Sequence, residues 1–216
     1  MLELNNFSNY ILNNLTLKIK NQNLIILGSN GCGKTTMAKA IIGLLDNNNI
    51  INNKLINYIP TKLDIFDEFM SVYEFLKLSC IKNNNIDEVL NSLNILYLKD
   101  KNAKNLSSGE SQLVLLASAI LHNAKYTILD EPTSNLDPQK VKKVFHMLQD
   151  KNILNYKIVI THNLDLAYKL GFDIIYIKDG KIDFQGLNQE FFTQENLNKY
   201  FDNTVKNINN NIVVSL

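Results

Sequence analysis

Apolar and polar positions in the first part of the chain follow a pattern that predicts β-strands. Residues 15–19 alternate between apolar and polar side chains, and a short polar turn separates them from an apolar run at 24–27. The run ends at Gly28, and a helical spacing of apolar residues extends over 34–45. The pattern therefore predicts a buried strand, a glycine-containing loop and a helix in direct succession.

The remainder of the chain alternates between predicted strands and predicted helices. Short apolar runs predict strands at 56–59, 126–129, 157–160, 174–177 and 181–184. Helical periodicity predicts helices at 72–78, 86–98, 110–121 and 138–149. Residues from about 64 to 121 lose strand character. We therefore expect an α/β fold in one domain, 1–216, with a core formed by 1–61 and 122–216, an antiparallel β edge, and a helical subdomain inserted at 62–121.

Composition and charge narrow the possible classes of function. The net charge is +1, which gives no electrostatic argument for a nucleic-acid or anionic membrane partner. All 22 basic residues are lysines, so an arginine finger supplied by the same chain is excluded. The two cysteines are too few for a disulfide framework and favour a reducing, cytoplasmic compartment. We also expect no export signal, because residues 1–10 lack both a charged region and an apolar region of the kind that a signal peptide needs. No membrane span is expected, because no run approaches about 18 apolar residues.

A glycine-rich sequence links the predicted strand at 24–27 to the predicted helix. Residues 28–35 match the phosphate-binding pattern G-x-x-x-x-G-K-[ST] without a gap. Backbone N–H groups and the helix N-terminus would face phosphate oxygens, Lys34 would add positive charge, and the Thr35 hydroxyl would bind Mg²⁺. A chance glycine turn is the plainer alternative, but the chain has only 8 glycines and this loop has the required strand–helix context. The predicted residues for binding ATP are Gly28, Ser29, Asn30, Gly31, Cys32, Gly33, Lys34, Thr35 and Thr36.

Two adjacent carboxylates end the predicted strand at 126–129. Asp130 is a candidate Mg²⁺ ligand, and Glu131 is a candidate to polarise an attacking water, because neighbouring strand residues point in different directions. A solvated turn before Pro132 is the simpler interpretation of such a pair, and the phosphate loop argues against it. His162 follows another predicted strand, where a lone histidine is more often a surface or capping residue.

A serine- and glycine-containing motif precedes the acidic strand and consists of Leu106, Ser107, Ser108, Gly109 and Glu110. It resembles the L-S-G-G-Q or L-S-G-G-E signature of ABC transporter nucleotide-binding subunits. Residues 130–137 (D-E-P-T-S-N-L-D) are similar to that family's D-E-P-T-S-x-L-D stretch, and Thr161-His162 resembles its switch histidine. With the phosphate loop, four motifs follow the family order over nearly the whole chain. The resemblance implies a P-loop NTPase core of the ABC ATPase type, and hence an ATPase.

The resemblance implies a role for each motif in a dimer of two copies of the chain. The signature would bind the γ-phosphate of the ATP held by the opposing subunit, because a hydroxyl, a glycine N–H and a helix start suit an anion. Ser107 or Ser108 also suits a plain helix N-cap. In the family pattern Asp137 passes information across the dimer, and His162 contacts the γ-phosphate. Lys34 and Glu131 complete the set of residues implied in catalysis.

Other positions of the family pattern are matched less closely. An aromatic residue near the N-terminus would stack on adenine, and Phe7 is the first candidate, with Tyr10 the second and core packing the alternative. Thr61 stands where the family has a glutamine that contacts Mg²⁺ and couples to the membrane partner. A threonine is shorter and would need a bridging water. Ser108 replaces a signature glycine, and its side chain would either crowd the phosphate or donate a hydrogen bond to it.

Three regions resemble the ATPases that import iron-siderophores, haem or vitamin B12. They are 71–76, the S-S-G-E form of the signature, and the tail 185–197. The resemblance implies a second copy of the chain, an integral membrane permease and a substrate-binding protein as partners, no nucleic acid, and a location at the cytoplasmic face of the membrane. The alternatives are an exporter subunit, an importer of another solute, a soluble regulatory or repair ABC ATPase, and a binding module that does not hydrolyse ATP.

Overall fold

The structure, a computed structural model, describes residues 1–45, 55–63, 68–80 and 85–214. The chain divides into two units, one formed by Met1–Ile50 with Ile158–Leu216 and the other by Ile51–Lys157. In chain order the elements are β1 (Leu2–Phe7), β2 (Leu15–Ile19), β3 (Leu24–Gly28), α1 (Lys34–Ile41), β4 (Ile56–Ile59), α2 (Val72–Ser79), α3 (Ile86–Ser92), α4 (Ser108–His122), β5 (Tyr126–Asp130), α5 (Pro138–Gln149), β6 (Tyr156–Ile160), α6 (Leu164–Leu170), β7 (Asp173–Lys178), β8 (Lys181–Gly186), α7 (Asn188–Phe191), α8 (Gln194–Phe201), β9 (Val205–Ile208) and β10 (Asn211–Val214).

The first unit is built around β3, which pairs in parallel with β6 on one side and with β7 on the other. Residues 24–27 of β3 are all buried, as expected for a parallel strand that is covered on both faces. The strand β8 pairs antiparallel with β7, and its side chains alternate between exposed and half-buried. The strands β1 and β2 form a separate antiparallel pair, and α1 contacts β1. The predicted antiparallel edge is therefore present.

The end of the chain forms elements that the sequence patterns did not predict. The helix α6 follows β6 and packs against β10, which pairs antiparallel with β9. Asn209 and Asn210 connect the two strands with φ angles of 49° and 61°. A two-residue turn with positive φ at both positions suits the right-handed twist of a hairpin, and asparagine tolerates that backbone conformation well.

The second unit contains the parallel pair of β4 and β5 and the helices α2, α3 and α4 that precede β5. In the β4–β5 pair Tyr58 lies opposite Ile128, and Ile59 lies opposite Leu129. The helix α4 contacts α2, α3 and β4. Its residues 112–119 are all buried, which is typical of a helix that is covered on every side. Predicted strand 56–59 and predicted helix 138–149 are confirmed with the same bounds.

Two predicted helices end earlier than their apolar pattern. The helix α1 ends at Ile41 rather than residue 45, because Gly43 adopts a φ of 74° and closes the helix. The Gly43 and Leu44 N–H groups donate to the carbonyls of Ala40 and Lys39, at 3.0 and 2.9 Å. The helix α3 ends at Ser92 rather than at residue 98. Asn94, with a φ of 52°, closes it in the same way, and a short 3₁₀ turn follows at Leu96–Leu98.

Candidate nucleotide-binding and catalytic residues

The phosphate loop lies in the first unit, between the carboxyl end of β3 and the start of α1. Gly33 has a φ of 105°, and a Cβ atom there would lie 2.6 Å from Leu12 Cδ2 and 2.9 Å from Ile11 Cγ2. At Gly28 a Cβ atom would lie 2.5 Å from the Cys32 sulfur and from the carbonyl oxygen of Ile177. Both glycines are therefore required by close neighbours as well as by the curl of the loop.

Lys34 is the first residue of α1, and its side chain turns back over the loop. Its ammonium group donates hydrogen bonds of 2.8 Å to the carbonyl oxygens of Gly28 and Ser29. The side chain is 8% exposed. The charge of Lys34 is thus held at the loop that the sequence predicts to bind phosphates. The exposed loop residues Ser29, Asn30 and Gly31, and the exposed Thr35 that follows, complete the solvent-facing part of the motif.

Two aliphatic residues of the N-terminal segment lie beside Gly33 of the phosphate loop. Ile11 and Leu12 contact Gly33, as the distances above show. Phe7 lies at the end of β1 and is half-buried, while Tyr10 is 92% exposed. Ile11 is half-buried and lies beside Gly33. The stacking roles expected of Phe7 and Tyr10 stay predictions.

His162 lies in the turn that follows β6 and is exposed to solvent. The preceding Thr161 is buried, and its N–H donates to the carbonyl oxygen of Ile26 in β3 at 3.2 Å. Asn163 caps α6 by accepting a 2.9 Å hydrogen bond from the N–H of Leu166. Because β3 and β6 are parallel neighbours, the histidine turn and the phosphate loop follow the same edge of the sheet within this unit.

Asp130 ends β5 in the second unit and is only 3% exposed. The Tyr58 hydroxyl donates a 2.9 Å hydrogen bond to its Oδ2 atom. Burial and then the nearby charge of Asp130 raise the pKa of Tyr58 well above its ordinary value, so the phenol remains a neutral donor. The sequence patterns did not single out Tyr58. The pairing of the strands at 56–59 and 126–129, had it been predicted, would have been the signal.

Glu131 follows Asp130 with an unusual backbone conformation. Its φ is 51°, in the left-handed region that a non-glycine residue rarely occupies. Its carbonyl oxygen accepts hydrogen bonds from both the N–H and the hydroxyl of Ser134, at 3.0 and 2.9 Å. Left-handed residues held in place by their surroundings occur often at functional sites. Ser134 therefore joins the candidate site as a residue that holds the backbone of Glu131.

The signature motif forms the start of α4. The Ser107 hydroxyl accepts a 3.2 Å hydrogen bond from the Glu110 N–H, and Glu110 accepts one of 2.8 Å from the Ser107 N–H. This reciprocal arrangement is a capping box, and of the two possible caps it is Ser107 that caps the helix. The Ser107 backbone and then the Lys101 ammonium lower the pKa of Glu110. Ser107 and Ser108 are both exposed at this helix N-terminus, while Leu106 before them is half-buried.

Gly109 is the buried member of the motif. A Cβ atom at this position would lie 3.3 Å from the carbonyl oxygen of Asn135 and 3.7 Å from Leu136 Cδ2. The glycine therefore allows the first turn of α4 to approach the segment that follows Glu131. Through this contact the signature and the acidic motif touch each other within the second unit.

Asp137 caps α5, and its carboxylate is engaged with Lys140. Its Oδ1 accepts a 3.0 Å hydrogen bond from the Lys140 N–H, and its Oδ2 lies 2.7 Å from the Lys140 ammonium. These bonds lower the pKa of Asp137, with the side chain of Lys140 as the largest cause. Thr61 lies beyond the end of β4, after Pro60, and is half-buried. The proposed dimer contact of Asp137 and the metal contact of Thr61 stay predictions.

The predicted metal ligands have the chemistry that magnesium prefers. Hydroxyl and carboxylate oxygens, such as those of Thr35 and Asp130, are hard ligands suited to Mg²⁺. Across the described ranges, no group of three or more histidine, cysteine or acidic residues is placed to hold a metal ion. In the same part of the chain, no helix combines the length and apolar character needed to cross a bilayer.

Comparison with known proteins agrees with the motifs. A family model described as ABC transporter matches residues 12–134. The zinc import ATP-binding protein of Buchnera aphidicola subsp. Baizongia pistaciae is 38% identical over 173 residues, covering 75% of this chain and 72% of that protein. CbiO1 from Clostridium perfringens, described as part of the ABC transporter complex CbiONQ, has a TM-score of 0.72 and 25% identity, covering 93% of this chain and 95% of that chain.

A dimeric bacterial ABC transporter cassette has a TM-score of 0.74 and 23% identity, covering 87% of this chain and 99% of that chain. At this identity the likeness concerns the fold, and it confirms the predicted P-loop NTPase fold of the ABC ATPase type. The family match spans more than half of the chain, and the zinc import relative is aligned over most of its own length. The chain therefore belongs to the ABC transporter family as an ATP-binding protein of the kind that hydrolyses ATP.

Proposed function

We propose that this chain is the ATPase subunit of a metal importer and that two copies enclose two Mg·ATP between them. The dimer proposal is supported by the exposed N-terminus of α4. The N-terminus of the 15-residue helix α4 is capped and ordered by Ser107 and Glu110, yet Ser107 and Ser108 are exposed to solvent. A helix N-terminus favours anions. This exposed start is the predicted signature, which would receive the γ-phosphate of ATP bound to the other copy.

The residues within one copy have separate tasks in the proposed reaction. Lys34 places its charge on the phosphate loop, where it would neutralise the phosphates, and Thr35 and Asp130 would hold Mg²⁺. Bound magnesium would neutralise charge on the phosphate oxygens. Glu131 would orient the attacking water, and His162 would contribute a hydrogen bond to the transferred group. Thr61 would act on the metal only through a bridging water.

Partners follow from the same proposal. Hydrolysis by a pair of such subunits drives transport only if a membrane permease is attached, and CbiO1, described as part of a transporter complex, supports such an assembly. We propose that the chain lies at the cytoplasmic face of the membrane through that permease and that a substrate-binding protein delivers the cargo. The predicted helical subdomain at 62–121 would be the part that moves with the permease.

The cargo that we propose is a transition-metal ion, with zinc first. The support is the relative at 38% identity whose name states zinc import. Import of an iron-siderophore, haem or cobalamin is the second candidate, and the tail that resembles those importers favours it. The two are separated by uptake into vesicles that contain the chain with its co-encoded permease. Accumulation of labelled zinc that requires ATP and that is reduced by an excess of unlabelled zinc supports zinc import. Accumulation of an iron complex without zinc uptake overturns it.

The dimer proposal is tested with the Glu131→Gln variant, which keeps the size of the side chain and removes its ability to act as a base. Light scattering after gel filtration should show a monomer without nucleotide and a dimer with Mg·ATP, while hydrolysis falls by about 100-fold or more. The double variant Glu131→Gln with Lys34→Ala should remain monomeric. A monomer of Glu131→Gln at saturating Mg·ATP, or hydrolysis at the wild-type rate, would contradict the proposal.

A further inference from the structure

The pairing of β4 with β5 brings a tyrosine to the carboxylate that ends β5. Tyr58 lies opposite Ile128, and side chains two residues apart on a strand point to the same face. Tyr58, Ile128 and Asp130 therefore share one face of the strand pair. A long aromatic side chain reaches its diagonal neighbour on the next strand, and the Tyr58 hydroxyl meets Asp130 Oδ2 at 2.9 Å.

We infer that Tyr58 is a positioning residue that fixes the Asp130 carboxylate in the orientation needed to hold the metal of Mg·ATP. This inference rests on the proposed function, because it takes Asp130 as the metal-binding carboxylate. It adds a residue outside the recognised motifs, with a defined donor atom and a defined acceptor atom. Tyr58 itself contacts neither nucleotide nor metal in this proposal.

The physical case begins with burial. Asp130 is only 3% exposed, and a buried carboxylate that loses a hydrogen-bond donor is costly. A hydrogen bond to one oxygen also restricts rotation of the carboxylate about its last torsion angle. Mg²⁺ demands nearly ideal octahedral geometry, so a carboxylate with a fixed orientation binds it more tightly than a rotating one. Residues that hydrogen-bond to metal ligands typically change metal affinity by about 10- to 100-fold when removed.

The backbone supports the same interpretation. Tyr58 belongs to a regular strand whose register with β5 runs from Ile56 opposite Tyr126 to Ile59 opposite Leu129. The hydroxyl is therefore placed by four consecutive pairs of residues, and a rigid element is a better support for a metal ligand than a loop. Removal of the hydroxyl alone leaves the ring and the strand pairing in place, which makes Tyr58→Phe a narrow test.

The experiment measures how much the metal contributes to nucleotide binding. Affinity for a non-hydrolysable ATP analogue is determined with saturating Mg²⁺ and again with EDTA, for the wild type and for Tyr58→Phe. We expect the ratio of the two affinities to fall by about tenfold in Tyr58→Phe, with the affinity in EDTA unchanged. The electron paramagnetic resonance spectrum of bound Mn²⁺ should also change in Tyr58→Phe. The Mn²⁺ spectrum would not change if the hydroxyl contributed only to the stability of the fold.

Tyr156→Phe is the matched control. Tyr156 is a half-buried tyrosine at the start of β6 whose ring packs on Tyr126 with 5.4 Å between centroids, a contact that phenylalanine keeps. We expect its metal-dependent ratio to equal that of the wild type. In an Asp130→Asn background, Tyr58→Phe should have no further effect, because the charged acceptor is already gone.

The outcomes separate this inference from the proposed function. The metal role of Asp130 is supported if Mg²⁺ raises the affinity of the wild type for the ATP analogue and does not raise that of Asp130→Asn. If Tyr58→Phe then keeps the full gain and the wild-type Mn²⁺ spectrum, the inference is overturned while the proposed function stands. A wild type without any metal-dependent gain overturns both. An equal loss in Tyr58→Phe and Tyr156→Phe also overturns the inference, because it would reflect a general loss of structure.

Discussion

The Glu131 carbonyl oxygen accepts two hydrogen bonds from Ser134, and the one from the hydroxyl gives a prediction at the scale of one side-chain group. Ser134→Ala removes the 2.9 Å hydrogen bond to the Glu131 carbonyl oxygen and keeps the one from the N–H. A neutral hydrogen bond contributes about 1 kcal/mol, which corresponds to about a fivefold change. We expect kcat for ATP hydrolysis to fall by about that factor with unchanged ATP affinity, because the water-orienting role that we propose for Glu131 requires a well-held backbone.

Steady-state hydrolysis and a nucleotide titration measure the two quantities for Ser134→Ala. Ser92→Ala is the control, since the hydroxyl of the exposed Ser92, the last residue of α3, makes a similar 2.8 Å hydrogen bond to the carbonyl oxygen of Val89 and lies outside the acidic motif 130–137. A Ser134→Ala variant that loses ATP affinity instead of kcat would show that the hydroxyl supports binding and not the positioning of Glu131.

Tyr58 and Ser134, the hydrogen-bond partners of Asp130 and Glu131, show what the sequence alone does not predict at the residue scale. Asp130 and Glu131 could be located because their motif is contiguous and its spacing is recognisable. Tyr58 could not, because its approach to Asp130 depends on the register of two strands that are far apart in the sequence. Ser134 lies inside the recognised stretch, but its role depends on the positive φ of Glu131, which no sequence pattern reports.

At the scale of elements, strands and helix starts were easier to predict than helix ends. Strand 56–59 is recognisable because an apolar run stops at a proline, and α5 because Asp137 caps it and Pro138 begins it. The end of α1 was missed because Leu44 and Leu45 continue the apolar spacing, although both are exposed beyond the closing glycine. The asparagine-rich tail gave no clear periodicity, so the hairpin of β9 and β10 was missed as well.

Two helices of the second unit begin with the same capping box, which allows a matched comparison. Ser71 with Glu74 caps α2, and Ser107 with Glu110 caps α4. Glu110→Ala should destabilise the fold by about 1 kcal/mol or less, after allowance for its partial exposure. It should also weaken the Mg·ATP-dependent dimer of Glu131→Gln, because the start of α4 loses its order. Glu74→Ala should leave that dimer intact.

Thermal melting and light scattering measure the two effects of Glu110→Ala. Since the folded pKa of Glu110 is lowered, its contribution to stability is fully present above the ordinary carboxyl pKa of about 4.3 and is lost as the pH falls through the lower folded value. The difference in stability between wild type and Glu110→Ala should therefore shrink below about pH 4. Equal dimerisation by the Glu110→Ala and Glu74→Ala forms would argue against a special role for the start of α4.

At the scale of the whole molecule, the last prediction concerns Thr61, which follows the strand that carries Tyr58 and which we propose couples hydrolysis to transport. A glutamine at this position places an amide farther from the backbone than the threonine hydroxyl reaches, so Thr61→Gln would replace a water-mediated contact with a direct one. One added hydrogen bond of about 0.5–1.5 kcal/mol predicts a two- to tenfold rise, roughly, in ATP hydrolysis by the permease-bound protein in vesicles. Lys62→Gln, at the exposed next residue, is the control and should not change the rate. No change or a fall with Thr61→Gln would contradict the prediction, because the proposed contact would then gain nothing from the longer side chain.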